Sequence, residues 1–194
     1  MAKTREIIGA HADRLIRDAI VTCMETTDCD KIKVADVVAV AKVSRSTFYR
    51  YYDSVGDALC AMEDEFLDRI EQINDIALKV GRSSTRLAQL SESMVMRLQL
   101  MREHRAFVLA FSGPHGSARF RERSESLLER YLEIRLRQSG VSLPADQEAF
   151  YLAYVCGGHY RLVHRWLKEY PDEPIADMAA LMNKLLYVVI PSLR

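Results

Sequence analysis

Arg45, Ser46 and Thr47 stand side by side after Ser44 and before Phe48, Tyr49 and Arg50. A forked guanidinium and two short hydroxyl side chains are donors that reach base edges in a duplex groove, while neighbouring basic, hydroxyl and phenol groups reach phosphate oxygens. On that chemistry Arg45, Ser46 and Thr47 are the candidates for base contact, and Lys33, Ser44, Tyr49 and Arg50 for phosphate contact. Arg45 is the candidate for a guanine, whose two major-groove acceptors match the guanidinium fork.

Two short helices and a tight turn must hold these groups. Val34, Val37, Val38 and Ala41 recur at helical spacing, which predicts a first helix over Val34 to Ala41 with one packed face. Ser44 offers an N-cap hydroxyl for a second helix that turns Phe48 inward and Tyr49 and Arg50 outward. A longer helix from about Ile7 to Thr26, with Ala12, Leu15, Ile16, Ala19, Ile20 and Cys23 as its stripe, would pack on both. The preceding AKTRE reads as a frayed basic terminus, with an arm that touches DNA as the other reading.

The segment VADVVAVAKVSRSTFYRYYD, Val34 to Asp53, resembles the helix-turn-helix of the TetR family of bacterial one-component transcription regulators. The family's motif ends in a similar Val-Ser, Thr, aromatic-Tyr and aromatic-aromatic run. The likeness covers roughly residues 16 to 59 as a motif, and the whole chain in length and helical layout. Lys42, Asp28 and Val55 depart from it: they stand where the family usually has a turn glycine, a helix-closing glycine and a phosphate-binding lysine. The resemblance implies a dimer on a twofold DNA site, formed through an antiparallel bundle of the two C-terminal helices. It also implies a helical body with an effector cavity, and a segment after residue 53 that couples effector to DNA.

Composition agrees with helices throughout. The chain has 194 residues and five prolines, none before Pro114, so its first half is free to be helical. The expected fold is all-α, with a helix-turn-helix DNA-binding domain over 1–53 and an effector-binding and dimerisation bundle over 54–194. Formal charge balances at 27 basic and 27 acidic residues, which excludes the uniform positive field of a nonspecific nucleic-acid binder and requires a local patch. Lys31, Lys33, Lys42, Arg45 and Arg50 supply one. Four cysteines without CxxC pairing read as free thiols in a reducing compartment. With no long apolar run and no apolar leader, the expectation is a cytoplasmic protein without a membrane partner.

Beyond residue 53, Ser54 with Asp57 signals a helix start, and Leu59, Met62, Phe66, Ile70 and Ile73 continue it. A break at Gly81 to Ser84 precedes a helix carrying Leu87, Leu90, Met94, Leu98 and Met101, then an apolar piece through Phe107, Val108 and Phe111. The SGPHG run marks a loop. Another helix follows through Phe120, Leu127, Leu128, Tyr131 and Ile134 to Ser139 and Gly140. The helix before YPDEP has two occupied faces, one of Ala149, Ala153, Cys156, Tyr160, Val163 and Leu167, the other of Phe150, Tyr154, Gly157, Arg161 and His164. Two faces imply two neighbours. Gly157 and Gly158 each cost roughly 1 kcal/mol in a helix, which close packing at a dimer seam or room for a ligand would repay. The last segment, Ile175 to Leu193, is also apolar on more than one side.

Met62, Phe66, Met94, Met101, Phe107, Phe111 and Tyr131 are candidates to line an adaptable apolar pocket for a small-molecule effector, with ordinary core as the default for each. Tyr154, His159 and Arg161 offer polar tips. Cys156, His159, Tyr160 and His164 share a helix but not the convergent geometry of a metal site, so no metal is expected. No nucleophile elbow, phosphate loop or HExxH helix occurs, and neither a cofactor nor an enzyme is expected. The second functional reading is a TetR-like protein-interaction module with weak DNA binding of its own.

Overall fold

The computed structural model describes the backbone of residues 2–80, 86–139 and 143–189 and the side chains of 11–79, 92–138 and 143–186. Its described residues form helices α1 (Ala2–Cys23), α2 (Val34–Ala41), α3 (Arg45–Phe48), α4 (Val55–Val80), α5 (Arg86–Glu103), α6 (Arg105–Ser112), α7 (Ala118–Ser139), α8 (Ala145–Glu169) and α9 (Ile175–Val189), and no strand. A single 3-10 turn, Cys29–Lys31, precedes α2. The all-α expectation stands. The expected break at 81–84, Gly140 and the side chains of Leu87 and Leu90 lie outside the described residues.

The backbone gathers into two compact units, Met1–Leu67 with Ala110–Arg121, and Asp68–Leu109 with Glu122–Arg194. In the first, α1 packs on α2 and α3. Its helix is continuous from Ala2 and ends at Cys23, where a 22–31 run of turns takes over, so the AKTRE stretch has helical backbone. Ile16, Ala19, Ile20, Met24, Val37, Ala41 and Phe48 form the core of that packing, each all but removed from water. Val34 and Val38 are half-buried at its margin.

Three local devices fix the helix ends here. Asp36 accepts the Lys33 backbone N–H at 3.0 Å at the start of α2. Ser44 Oγ accepts the Thr47 N–H at 3.1 Å at the start of α3. Ser54 Oγ accepts the Asp57 N–H at 3.0 Å, one of the otherwise orphaned donors of α4, while the Asp57 carboxylate reaches back to the Asp53 N–H ahead of the helix.

The second unit is built from the later part of α4 with α5, α8, α9 and most of α7. α5 packs on α9, where Met178, Ala179 and Met182 are buried. A separate cluster joins Tyr131, Leu132 and Leu136 of α7 to Tyr151, Leu152, Val155 and Cys156 of α8. The face of α8 toward its own chain is therefore Tyr151, Leu152, Val155, Cys156, Val163, Trp166 and Leu167. Ala149 and Ala153, expected on that face, are exposed instead, because the helix turns Leu152 and Val155 inward.

Candidate nucleic-acid interface and effector body

The reading head begins with the turn between α2 and α3. Lys42 caps α2 in the left-handed region, at φ 54° and ψ 40°, and is the one non-glycine residue with positive φ among the described residues. Glycine would adopt this conformation without the Cβ penalty. The chain reverses there, Val43 N–H bonding to Val38 O at 3.2 Å, and brings Ser44 to the head of α3. Ser44 Oγ also lies 2.8 Å from Ser46 Oγ and 2.9 Å from Thr47 Oγ1, so the three hydroxyls form one small network.

Arg45, Ser46, Tyr49, Arg50 and Lys33 are exposed, while Thr47 is half-buried behind Ser44. Among the described residues no carboxylate pairs with Lys33, Lys42, Arg45 or Arg50, whereas Arg17, Lys31 and Arg119 of the same unit each pair with one. Phe48 is fully buried and braces the exposed Tyr49 ring edge-on, at a centroid separation of 5.6 Å. A polar, cationic surface thus stands on an apolar anchor.

Residues that the sequence pattern did not single out hold this surface in place. Tyr52 is buried; its hydroxyl donates to Asp13 at 2.5 Å and accepts from Arg17 Nε at 2.9 Å. Arg17 also pairs with Glu65 on α4. Burial and the bond to Asp13 push the Tyr52 phenol up to about 12, so it remains a donor at every working pH. The network joins α1, α4 and the segment that follows α3. Val55, where a phosphate-binding lysine was expected by resemblance, packs its side chain into the head core.

Asp28 departs from the family's helix-closing glycine for a visible reason. Its φ of −55° lies outside the left-handed region, so no glycine is required. Its carboxylate instead meets His115 Nδ1 at 2.7 Å and Lys31 Nζ at 2.6 Å, and the Cys29 N–H bonds to His115 O at 3.0 Å. Those contacts tie the loop between α6 and α7 to the head. Gly116 makes the loop possible, since a Cβ there would fall 2.2 Å from Phe111 O. Close backbone approach, inferred from sequence only as a Gly-Pro loop, is its physical basis.

The candidate effector residues divide between the two units. Met62, Phe66 and Phe111 are buried in the first compact unit, where Phe120 stacks against both Phe66 and Phe111 at 6.0 and 5.7 Å. Met94, Met101, Phe107, Tyr131 and His159 belong to the second unit. Tyr154 also belongs to the second unit and is 69% exposed. Within the second unit Tyr131 meets Arg97 and Ser93, and Arg97 in turn meets Asn74, three polar residues that sequence reasoning did not single out. Arg97 lies with its guanidinium carbon 4.5 Å from the Tyr131 ring centre, and donates to Asn74 Oδ1 at 2.8 Å and to Ser93 Oγ at 3.4 Å. All four residues are buried. Desolvation first, and the Arg97 charge second, push the His159 imidazole down to about 3, so it is neutral beside the cation. Burial pushes the Cys156 thiol up to about 11, in keeping with an inert core cysteine.

The outward face of α8 carries Phe150, Ala153, Tyr154, Gly157, Gly158 and Arg161, with Phe150 76% exposed. A Cβ added to Gly157 or Gly158 would meet nothing within 4 Å. On α9, Leu181 and Leu185 are exposed. No helix among the described residues is long and apolar enough to cross a membrane.

The comparisons with known proteins agree with this layout. A family model described as the C-terminal region of TetR-type transcriptional regulators matches residues 89–187, more than half of the chain. No curated protein sequence matches it. Among solved structures, a TetR-like regulator from Rhodococcus sp. RHA1 is similar with a TM-score of 0.65 and 16% identity, over 93% of this chain and 96% of that one. A TetR regulator from Streptococcus agalactiae 2603V has a TM-score of 0.58 and 22% identity, over 96% and 99%. The regulator FadR from Bacillus subtilis, in complex with stearoyl-CoA, has a TM-score of 0.61 and 16% identity, over 89% and 96%. At these identities the structures speak for the fold, while the matched C-terminal region speaks for the family. The family and these neighbours are transcriptional regulators rather than enzymes. The chain belongs to the TetR family of transcriptional regulators.

Proposed function

We propose that this regulator is a dimeric, ligand-responsive repressor that binds a pseudo-palindromic operator. Residues 1–53 are the DNA-binding domain and 54–194 the effector-binding and dimerisation domain. Arg45 and Ser46 enter the major groove with Thr47 behind them, and Lys33, Ser44, Tyr49 and Arg50 meet the flanking phosphates. The observation that carries this is the set of exposed cations at the ends of α2 and α3, without described acidic partners, around the buried Phe48. Docking of such a surface on phosphates releases the counterions condensed on the duplex.

The dimer forms through α8 and α9, whose outward faces hold Phe150, Tyr154, Leu181 and Leu185 in water in the monomer. The open space over Gly157 and Gly158 supports close approach of a partner helix there. Twofold symmetry then presents two copies of α3 to two half-sites. An effector in the body acts by binding better to one arrangement of the heads than to another, and shifts the DNA-competent population by that difference alone. The solved FadR–stearoyl-CoA complex supports the reading that this fold accommodates a small-molecule ligand.

Selection from a random duplex library tests the reading. Enrichment of a sequence with inverted half-sites is the expected result. If folded dimeric protein enriches no sequence, the second reading, a protein-interaction module with weak DNA binding, replaces it.

A further inference from the structure

Buried charges in folded proteins are paired, because an isolated ion removed from water loses several kcal/mol of hydration. Two charged side chains are buried among the described residues, Glu63 and Arg97. Glu63 follows the rule, since Arg119 pairs with it. Arg97 does not. Its guanidinium touches the amide oxygen of Asn74, the hydroxyl of Ser93 and the face of the Tyr131 ring, all of them neutral, and its Nε has no hydrogen-bond partner. The stretches whose side chains are undescribed in this unit, 80–91, 139–142 and 187–194, contain no Asp or Glu in sequence. The nearest ionisable groups sit in its field: burial first and the Arg97 charge second hold His159 neutral, and although burial acts to raise the Tyr131 phenol, the Arg97 charge together with the hydrogen bonds of Ser93 and Arg97 brings it below its ordinary value.

On α5, Met94 and Met101 stand three residues before and four after Arg97 and so share its face, with Leu98 buried beside it. These three side chains give α5 an apolar, adaptable flank on either side of the polar cluster. We propose that Arg97 is the recognition point for the carboxylate of an amphipathic organic monoanion, with Asn74 and Ser93 holding the guanidinium fork in position. The inference rests on the reading of the body as an effector-binding domain, and it names the class of effector. One fixed positive charge with a neutral imidazole beside it matches one negative charge, and an apolar tail suits the methionine-rich face. A planar fork also suits a carboxylate better than a point charge would.

The test measures binding of decanoate, decanol and decyl phosphate to the full-length dimer by calorimetry, and the effect of each on affinity for the selected duplex. Decanoate should bind at least roughly tenfold tighter than decanol, and Arg97→Met should remove that preference. The apo Arg97→Met protein should melt at the same temperature or higher, because an unpaired buried charge is exchanged for a methionine. Should that variant fail to fold, Arg97→Lys decides, with decanoate binding weakened roughly tenfold by loss of the fork. Equal binding of decanoate and decanol, tighter binding of decyl phosphate, no binding of any probe, or an unchanged preference in the Arg97 variants would overturn the assignment. Arg97-dependent decanoate binding that leaves duplex affinity unchanged would support the anion site and overturn the effector reading instead.

Discussion

At Asp28 a single carboxylate joins the 3-10 turn of the head to the loop after α6, and its acidity records how firmly. Hydrogen bonds from His115 and then Lys31 hold its carboxyl down to about 2, against an ordinary 3.8. A depressed acid stabilises the fold in its ionised form, so the contribution is complete above about pH 4 and is lost as the pH falls through about 2. Asp28→Asn should therefore be less stable than the parent at neutral pH, and the gap in denaturant midpoint should close as the pH approaches about 2. A gap independent of pH would contradict the assignment. Residues of this kind were not legible in the sequence. Asp28 and His115 are 87 positions apart, as Tyr52 is 39 from Asp13, and no local spacing announces either pair. Arg97 was hidden differently, because an arginine on an amphipathic helix reads by default as a solvated one.

The elements of the head were legible because their signals are local. The α2 boundaries, Val34 to Ala41, and the Ser44 and Ser54 caps follow from residue types three positions apart. The start of α1 was read later than its true position, since the sequence before Ile7 lacks the apolar period that marks a packed face. The list of effector candidates was divided by the fold for a related reason. Periodicity finds buried faces, but Met62, Phe66 and Phe111 bury theirs in the first unit and Met94 and Tyr131 in the second. At the α2–α3 turn, the left-handed Lys42 carries a backbone cost that glycine avoids, partly offset by the greater entropy glycine loses. Lys42→Gly should raise stability by up to about 1 kcal/mol in chemical denaturation. A clear loss of stability would mean that the lysine side chain supports the turn.

On the scale of the whole molecule, the account joins two copies of the chain to one duplex. Phe150→Glu places a charge on the exposed apolar face of α8 without touching the monomer core. Sedimentation should then find monomers, and specific duplex affinity should fall by more than tenfold, roughly the loss expected when two linked half-site contacts become one. A dimer that survives the change would move the interface elsewhere. The most direct test of the central claim compares the parent with Arg45→Ala on the selected duplex and on a scrambled one, across a series of salt concentrations. Steep salt dependence for the parent on both, with Arg45→Ala losing about 1 to 3 kcal/mol only on the selected site, is the predicted result. Equal losses on the two duplexes, or affinity indifferent to salt, would contradict base reading by α3.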